Sequence, residues 1–321
     1  MGDPCGIGPE VTSKAWAALR TSGITFAVLG DAGLYPDVPT LEIDALSSAA
    51  DVFRDTLPVI KGFTAAGAIV GRPNPKFAQV ILSAISVGVE LVQSGQALAL
   101  VTAPIAKSVV MQAGFSHPGH TEYLGELLRD APFAGTRGPI MMLAVEGLRV
   151  VPVTVHCALN EVSSKLTTQA IVNATKTTAE ALARDFRVTP PRIAIAALNP
   201  HAGEGGAFGD EEARIIIPAV SQLRDAGIDV SGPYPADSLF HEQARATFDA
   251  AICMYHDQAL IPLKTIDFWG GVNITLGLPI IRTSPDHGTG FDIAGKNIAN
   301  PESMIAAIKM ASHLGHQRVA S

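Results

Sequence analysis

The sequence predicts an α/β protein with a mixed sheet, and three observations carry that prediction. Short apolar runs of strand length alternate along the chain with longer amphipathic stretches of helical spacing, the order typical of an α/β fold. A turn at Glu146-Gly147 joins two neighbouring apolar runs, which indicates at least one antiparallel pair of strands. With 321 residues, 47% of them hydrophobic, the chain is long enough for about two domain-sized lobes with buried cores.

The individual elements follow from these apolar patterns and from the residues that end them. Strands are predicted at Phe26–Gly30, Ala97–Thr102, Ile140–Val145, Arg149–His156, Arg192–Leu198 and Ala250–Met254. Helices are predicted at Pro75–Ser94, Thr167–Phe186, Asp210–Ala226 and Pro301–Leu314. Acidic residues in the first turn of the third helix and Gly227 just after it are typical of helix ends. Pro301 is suited to the start of the fourth helix, because a first helical residue needs no N–H partner.

Composition excludes several classes of protein. Only 17% of the residues are charged and the net charge is −7, whereas nucleic-acid binders use clustered Lys and Arg to neutralise phosphates. The apolar stretches near Ala97–Ala106 and Pro139–Val155 are interrupted by Pro, Gly, Glu or Arg, so neither predicts a membrane span. Three widely spaced cysteines and the lack of a secretory pattern at the start favour the cytoplasm. We therefore expect a cytoplasmic protein with no nucleic-acid or membrane partner.

Histidines follow three of the predicted strands, at His156, His201 and His256. Ligands of open α/β sheets bind at the carboxyl ends of the strands, so these three imidazoles are candidate ligands of one divalent cation. Three protein ligands with an open position are typical of a catalytic metal site. Imidazole favours Zn, Co or Ni, and help from carboxylates extends the range to Mg or Mn. The alternative is that each histidine is a hydrogen-bonded loop residue.

A second set of residues is suited to holding an anion. The candidates are three polar residues that follow His256 in the chain, Lys264, Asn273 and Arg282. Arg offers two parallel donors to a phosphate or carboxylate and Lys a point charge; the alternative is that both are surface cations. His120 and Thr121 add donors near a helix start, where anions bind. Asp237, a lone acid in a turn, is either a general base or a helix N-cap.

The segment Asp286–Pro301 is a long glycine-rich loop ahead of the last predicted helix. It resembles the adenosine-binding loop of the isopropylmalate and isocitrate dehydrogenases, in the pattern His-Gly-Ser/Thr-x-x-Asp-Ile-Ala-Gly-Lys-x-Ile-Ala-Asn-Pro. Those enzymes bind NAD(P) without a Rossmann fold, and this sequence contains neither G-x-G-x-x-G nor a P-loop motif. The resemblance puts cofactor contacts on His287, Gly288, Asp292 and Asn300. An acid at Asp292 accepts hydrogen bonds from ribose hydroxyls and repels a 2′-phosphate, which favours NAD.

Nearly the whole chain resembles the 4-hydroxythreonine-4-phosphate dehydrogenase family of pyridoxal phosphate biosynthesis. The matching segments are Gly2–Glu10, Thr102–Lys107, Gly119–Glu122, Leu198–Gly206, Gly232–Phe240, Met254–Gln258 and Gly271–Gly295. The resemblance implies a two-lobed, isopropylmalate/isocitrate-dehydrogenase-like α/β fold with mixed sheets, not a Rossmann fold. It also implies a homodimer with the active site at its interface. The cofactor lobe is expected at 1–118 and 255–321, and the lobe for substrate, metal and dimerisation at 119–254.

The same resemblance assigns roles to the candidate residues. It implies three metal ligands, His156, His201 and His256, and five substrate contacts, His120, Thr121, Lys264, Asn273 and Arg282. Cys157 follows the first of these histidines where family members more often carry proline, a difference that leaves the ligand in place. Family members also have a short apolar strand ahead of the segment that matches Gly2–Glu10, so this chain is expected to begin late, with one buried strand absent.

The implied reaction is an oxidation followed by a decarboxylation. NAD takes a hydride from the carbon that bears the secondary hydroxyl of 4-phosphooxy-L-threonine, and a divalent metal (Zn, Mg or Co) acidifies that hydroxyl. Loss of CO2 from the resulting β-keto acid gives 3-amino-2-oxopropyl phosphate. Asp237 and Lys264 are both candidates for the group that takes the first proton.

Other functions stay open on the sequence alone. Related dehydrogenases oxidise a phosphorylated four-carbon sugar acid or a dihydroxycyclohexadiene dicarboxylate. A cofactor-free metal-dependent hydrolase or lyase, or a metabolite-binding module, is a different class. The last two predict no dependence on NAD, and the glycine-rich loop disfavours them.

Overall fold

The computed structural model describes residues 1–112 and 119–320. The chain divides into two compact units. Unit 1 consists of Met1–Ala131 and Pro279–His316, and unit 2 consists of Pro132–Leu278 and Gln317–Ser321. Both units mix helices with strands, so the predicted α/β class is confirmed.

The strands are short, between two and six residues long. In chain order they are β1 (Val28–Leu29), β2 (Thr40–Ile43), β3 (Leu57–Ile60), β4 (Ala99–Val101), β5 (Ile140–Val145), β6 (Leu148–Pro152), β7 (Ile193–Ala196), β8 (Val230–Tyr234), β9 (Ala250–Cys253), β10 (Val272–Leu276) and β11 (Ile281–Pro285). Each strand predicted from the sequence overlaps one of these.

The helices range from single turns to 18 residues. In chain order they are α1 (Gly8–Leu19), α2 (Ala49–Val52), α3 (Ala78–Gln93), α4 (Lys107–Gln112), α5 (His120–Leu127), α6 (Val162–Lys165), α7 (Thr168–Asp185), α8 (Ile217–Asp225), α9 (Ala236–Leu239), α10 (Glu242–Arg245), α11 (His256–Ile266) and α12 (Glu302–Val319).

Unit 1 contains a parallel sheet in the order β1-β3-β2 and a parallel pair formed by β4 and β11. Val11, Ala15 and Leu19 recur at a spacing of four on α1, and this spacing places them on one face of the helix. That face packs in one buried cluster with Met304 and Ile308 of α12. The packing holds the first and last helices of the unit together.

Unit 2 contains six strands in the order β10-β5-β6-β9-β7-β8. The pairs β10–β5 and β5–β6 are antiparallel, and the others are parallel. Val145 pairs with Leu148 across the predicted turn, which confirms the hairpin. Every residue of β7 and β9 is buried, as expected of central strands in a sheet covered on both faces.

One predicted helix differs in its first turns, and one apolar run for which no element is predicted forms strands. The helix predicted at Asp210–Ala226 begins as a π-helical turn over Glu212–Ile216 and becomes α-helical only in α8. Pro218 stands at the start of α8, and a proline has no N–H for the preceding turn and crowds its carbonyls. The apolar run between Asn273 and Arg282 forms two strands, β10 and β11, because Gly277 turns the chain with φ +73°.

The two units divide the chain at other residues than the predicted lobes, which divide after residues 118 and 254; the assignment of cofactor and substrate to those lobes stays a prediction. Residue 118 belongs to 113–118, which lie outside the described residues. Helix α5 joins unit 1, where the hydroxyls of Ser86 and Tyr123 are 3.0 Å apart. Strand β10 joins unit 2 because it pairs with β5. The last residues join unit 2, since Arg318 Nε and Nη2 donate to the Asp185 carboxylate at 2.8 and 2.7 Å.

A cavity of about 460 Å³ in unit 1 is lined by residues of β1, β4 and α3, and by Met1. One edge of β1 and one edge of β4 carry no strand partner in the described chain. The strand expected ahead of Gly2–Glu10 stays a prediction.

Helix α3 with the turn before it (Pro75–Gln93) is long and apolar enough to cross a membrane, judged by length and composition alone. Core helices pass the same test. Ile81, Ile85 and Val89 recur at a spacing of four on this helix and are buried. A Cβ built on Gly88 would approach Leu29 of β1 and Leu100 of β4 at 3.3 and 2.7 Å. We interpret α3 as a core helix of unit 1.

Candidate active site

The predicted site residues are divided between the two units, and all lie among the described residues. Unit 1 contains His120, Thr121, Arg282, His287, Gly288, Asp292 and Asn300. Unit 2 contains His156, His201, Asp237, His256, Lys264 and Asn273.

Arg282 is a buried cation in unit 1. It lies on β11 and is 2% exposed. Its Nε and Nη2 donate to the Thr102 hydroxyl oxygen at 3.1 and 2.6 Å, which orients the guanidinium. Burial lowers the pKa of Arg282 to about 10, so the group is still charged at neutral pH. A charged guanidinium held in a fixed orientation is suited to an anionic group of a ligand, to which it can donate charge-assisted hydrogen bonds.

His120 begins α5, and its Nε2 is buried with no hydrogen-bond partner among the residues that the structure describes. Burial first, and then the positive charges of Arg282 and the N-terminal amine, hold the pKa of His120 well below its ordinary value. The imidazole is therefore neutral at pH 7 and can donate or accept at Nε2. A buried polar atom without a partner points to a ligand atom that completes it. Thr121 follows with a half-buried side chain.

His156 and His256 lie close together in unit 2, with ring centroids 5.9 Å apart. His256 Nδ1 and Asp257 Oδ1 are 2.7 Å apart, a hydrogen bond that in metal sites leaves Nε2 to bind the ion. The pair fits two ligands of one divalent cation. The ring of His201 instead lies 6.1 Å from that of Phe208.

The three-histidine centre is not assembled as predicted. Within 1–112 and 119–320, no three His, Cys, Asp or Glu side chains are grouped closely enough to hold a metal ion. The His156–His256 pair therefore fits a metal, whereas His201 has to approach that pair for the predicted ligand set to form. The set stays a prediction.

The turn that carries His201 is left-handed. His201, Ala202 and Glu204 have φ values of +52°, +53° and +42°, with Gly203 between the last two and Gly205 after them. For residues with a Cβ this region costs about 1–2 kcal/mol each, and such strain persists only where neighbouring structure imposes it. At Gly203 a Cβ would lie 2.7 Å from Glu212 Oε2, so this position requires glycine. The sequence shows the glycines but not this handedness.

The other candidates in unit 2 have different environments. Lys264 Nζ donates to the Phe268 carbonyl at 3.3 Å and lies 5.0 Å from the Phe268 ring centroid, which places the ammonium near the end of α11. Asn273 on β10 has a buried Oδ1 with no hydrogen-bond partner in the described chain, so it can accept from a ligand. Asp237 is exposed and lies one residue inside α9, whose N-cap is Pro235; the N-cap interpretation of Asp237 is wrong.

The predicted cofactor residues lie on or next to the glycine-rich loop. His287 Nε2 is buried and has no hydrogen-bond partner within the described ranges. The Asp292 side chain is exposed, which leaves its carboxylate open to a ligand. Asn300 Oδ1 accepts from the Glu302 N–H at 2.8 Å and so helps to start α12.

The N-terminal Gly/Pro-rich loop supports this glycine-rich loop, a role that the sequence pattern does not show. The Ile7 N–H donates to the Thr289 carbonyl at 2.9 Å. A Cβ on Gly6 would lie 2.7 Å from the same oxygen, so Gly6 permits the close approach. Glu10 Oε1 accepts from the Ala299 N–H at 2.8 Å. The sequence pattern likewise does not show that Thr102 orients Arg282.

A buried guanidinium, together with buried polar atoms that have no hydrogen-bond partner among the described residues, is suited to an enzyme that acts on a small anionic substrate. Its relatives narrow that class to the oxidoreductases. Residues 23–311 match the model of the family described as pyridoxal phosphate biosynthetic protein PdxA, and the chain belongs to this family. The predicted family is thereby confirmed.

Two curated relatives span almost the whole chain. A 4-hydroxythreonine-4-phosphate dehydrogenase from Caulobacter vibrioides is 55% identical over 321 residues, which cover 99% of this chain and 96% of that protein. A protein of the same name from Maricaulis maris is 48% identical, with 99% and 97% covered.

Two solved structures have folds similar to that of this chain. A 4-hydroxythreonine-4-phosphate dehydrogenase from Klebsiella pneumoniae has a TM-score of 0.86 at 36% identity, covering 98% of this chain and 96% of that one. A terephthalate 1,2-cis-dihydrodiol dehydrogenase from Burkholderia xenovorans has a TM-score of 0.65 at 27% identity, with the same coverage. The predicted mixed-sheet fold, different from a Rossmann fold, is confirmed.

Proposed function

We propose that this chain is a 4-hydroxythreonine-4-phosphate dehydrogenase. It oxidises 4-phosphooxy-L-threonine with NAD in the presence of a divalent metal, and loss of CO2 then gives 3-amino-2-oxopropyl phosphate. The full-length similarity to the Caulobacter vibrioides protein of that name supports the substrate. The observation that supports the proposal is the buried guanidinium of Arg282, whose charge acts on the neutral imidazole of His120, together with the buried Nε2 of His120, which has no hydrogen-bond partner in the described part of the chain. We further propose a cytoplasmic homodimer with its active site at the interface and no nucleic-acid or membrane partner.

The substrate carries a phosphate and a carboxylate, so its recognition needs cations and donors. Arg282 offers a charged donor pair that Thr102 already orients. His120 adds a neutral nitrogen, which bonds an anion when it carries the proton, and Thr121 adds a hydroxyl. We also propose Lys264 and Asn273 as substrate contacts, Lys264 as a cation and Asn273 as an acceptor for the substrate ammonium group.

Oxidation removes a hydride from carbon and a proton from the hydroxyl oxygen. The hydride goes to NAD, and the proton needs a base in the protein. Asp237 and Lys264 are the proposed bases: Asp237 is exposed at the start of α9, and the Lys264 ammonium is held by Phe268. For Lys264 the role of base is an alternative to that of a substrate-binding cation, because an ammonium group has no lone pair to accept a proton.

The histidine side chains of unit 2 support the proposal that the reaction needs a divalent metal. His156 and His256 would hold the ion, with Asp257 orienting the latter, and His201 is the proposed third ligand. When bound, a divalent metal supplies Lewis-acid polarisation of the substrate hydroxyl and of the later ketone. Zn, Mg and Co are the proposed ions; imidazole ligands favour Zn and Co, and Mg needs more oxygen ligands.

NAD binding is proposed for His287, Gly288, Asp292 and Asn300. We expect Asp292→Ala to raise the KM for NAD by about tenfold or more, because two hydrogen bonds from ribose hydroxyls to a carboxylate are lost. The KM for the phosphorylated substrate should stay unchanged, and the relative use of NADP should rise. Steady-state kinetics with both nucleotides measure this.

Asp51→Ala, which removes an exposed carboxylate elsewhere in unit 1, is the matched control. Equal NAD affinity in the Asp292 and Asp51 variants would remove Asp292 from the cofactor site.

One specific observation favours a second substrate class: the fold similarity to the terephthalate dihydrodiol dehydrogenase. The chain is less similar to that protein than to the Klebsiella pneumoniae enzyme, in both TM-score and identity. A buried guanidinium accepts a carboxylate as readily as a phosphate, so the site alone does not separate a dicarboxylate diol from a phosphorylated amino acid.

The activity assay separates these proposals. Purified protein with NAD and added Zn, Mg or Co is expected to form NADH, followed by its near-ultraviolet absorbance, when given 4-phosphooxy-L-threonine. Chelation of the metal should stop the reaction. NADH formed only with the dihydrodiol would favour the second class, and no NADH with either substrate, beside an active control enzyme, would reject both.

A further inference from the structure

Buried polar side chains form hydrogen bonds with the strand ends that lead to the three histidines. The backbone pairing of β7 with β9 ends at Ile195 and Ile252. Beyond that point the side chain of Gln258, which is 7% exposed, connects the ends of the two strands. Its Nε2 donates to the Ala197 carbonyl at 2.7 Å, and its Oε1 accepts from the Met254 N–H at 2.7 Å. The side-chain amide thus replaces a peptide group in the ladder.

Thr154 forms further hydrogen bonds on the other side of β9. Its N–H and its hydroxyl both donate to the Met254 carbonyl, at 3.2 and 2.7 Å. Thr154 is 8% exposed and Met254 is fully buried. Met254 is therefore held through its N–H by Gln258 and through its carbonyl by Thr154.

Glu212 holds the third strand end. It is 4% exposed, although it is ionisable. Its Oε1 accepts from the N–H groups of Leu198 and Asn199 at 2.9 and 2.8 Å, and its Oε2 accepts from Asn199 Nδ2 at 3.0 Å. A buried carboxylate saturated with donors in this way fixes the backbone that it bonds. That backbone leads directly into the left-handed turn of His201.

The three held residues stand at one common offset from the histidines. Thr154, Met254 and Asn199 each precede a histidine by two residues: His156, His256 and His201. Gln258 also lies in the first turn of α11, which His256 begins. A shift of the Gln258 amide therefore moves the helix start that carries His256.

We propose that Gln258, together with Glu212, is a positioning residue for the metal centre. This inference rests on the proposed function, because it concerns the spacing of the proposed ligands. Gln258 sets the distance between the strand ends before His256 and His201, and Glu212 holds the His201 turn. Neither side chain binds the metal. Outer hydrogen-bond partners of metal ligands change metal affinity by about 10–100-fold when they are lost.

The test measures metal binding rather than turnover. Gln258→Leu removes both hydrogen bonds, and Gln258→Glu keeps the acceptor for Met254 but loses the donor to Ala197. Both variants are expected to bind Zn²⁺ about 10–100-fold more weakly by calorimetric titration. The visible spectrum of bound Co²⁺, which reports ligand geometry, is expected to change.

Leu182→Ala is the matched control, because it opens a fully buried site on α7 and contributes no hydrogen bond to the strand ends. It should lower the melting temperature and leave the Zn²⁺ affinity and the Co²⁺ spectrum as they are. If Gln258→Leu does not fold, Gln258→Glu and Thr154→Val carry the same expectation.

The outcomes are distinct. Gln258 variants that bind Zn²⁺ as tightly as the unchanged protein, or a Leu182→Ala loss of affinity of the same size, would overturn the positioning role. The proposed metal centre itself fails if the unchanged protein binds no Zn²⁺, or if His256→Ala binds it equally well; that result also removes the positioning role.

Discussion

Arg282→Met is expected to reduce kcat/KM for 4-phosphooxy-L-threonine by roughly 10²–10⁴-fold. A buried guanidinium paired with a substrate anion contributes about 3–5 kcal/mol when one partner is deleted. Arg282 is 2% exposed and oriented by two hydrogen bonds to Thr102, so little of its binding free energy is lost to side-chain ordering. Steady-state kinetics over a range of substrate concentrations measure the effect.

The thermal stability of Arg282→Met is not expected to fall with its activity. Replacing a buried ionic group by a well-packed apolar side chain of similar volume is often neutral or stabilising, because the cost of removing the charge from water is no longer incurred. The melting temperature of Arg282→Met without substrate should therefore be unchanged or higher. Added substrate should raise the melting temperature of the unchanged protein but not of the variant.

Arg282→Lys is the companion variant. It keeps a positive charge but loses the planar fork of donors that meets a phosphate or carboxylate, so its activity should lie between those of the other two proteins. Full activity of the Met variant at normal folding would show that the substrate anion binds elsewhere.

His256→Ala is expected to remove the bound metal and the activity together. The loss of one imidazole from a catalytic site lowers metal affinity by several kcal/mol, roughly 10²-fold or more. Metal content after dialysis and NADH formation are measured on the same preparation. Asp257→Asn, which weakens the hydrogen bond to His256 Nδ1, should cost about 10–100-fold in metal affinity.

His313→Ala provides the control for this experiment. His313 is an exposed residue of α12 in unit 1, and its loss should change neither metal content nor rate. Retention of a full metal complement by His256→Ala would point to a ligand set that does not include His256.

Local patterns predicted the elements that depend on neighbouring residues. Thr167 was predicted at the start of a long helix, and its hydroxyl oxygen accepts from the Ala170 N–H at 3.1 Å as the N-cap of α7. The hairpin at Glu146-Gly147 was equally local, because a short turn between two apolar runs brings those runs together. Helix caps and tight turns involve residues that are close in sequence, so a sequence pattern contains them.

The candidate site was only partly predictable. The residue types for an anion were identified, but the Thr102 contact of Arg282 joins β11 to the residue just after β4, far away in sequence. The pairing of His156 with His256 was expected from their position after strands, and β6 and β9 are indeed neighbours. The place of His201 depends on a left-handed turn that Glu212 stabilises from another element.

The sequence by itself determined the α/β class, the family, and the chemical types of the candidate groups: imidazoles, a few cations and an acid on a glycine-rich loop. These follow from apolar periodicity and from motifs, which are local properties of the chain. Only the tertiary structure decided that Arg282 is buried, that His120 is neutral, and that Gln258 joins two strand ends. Burial and long-range hydrogen bonds shift a pKa or fix a side chain through neighbours that no local pattern contains.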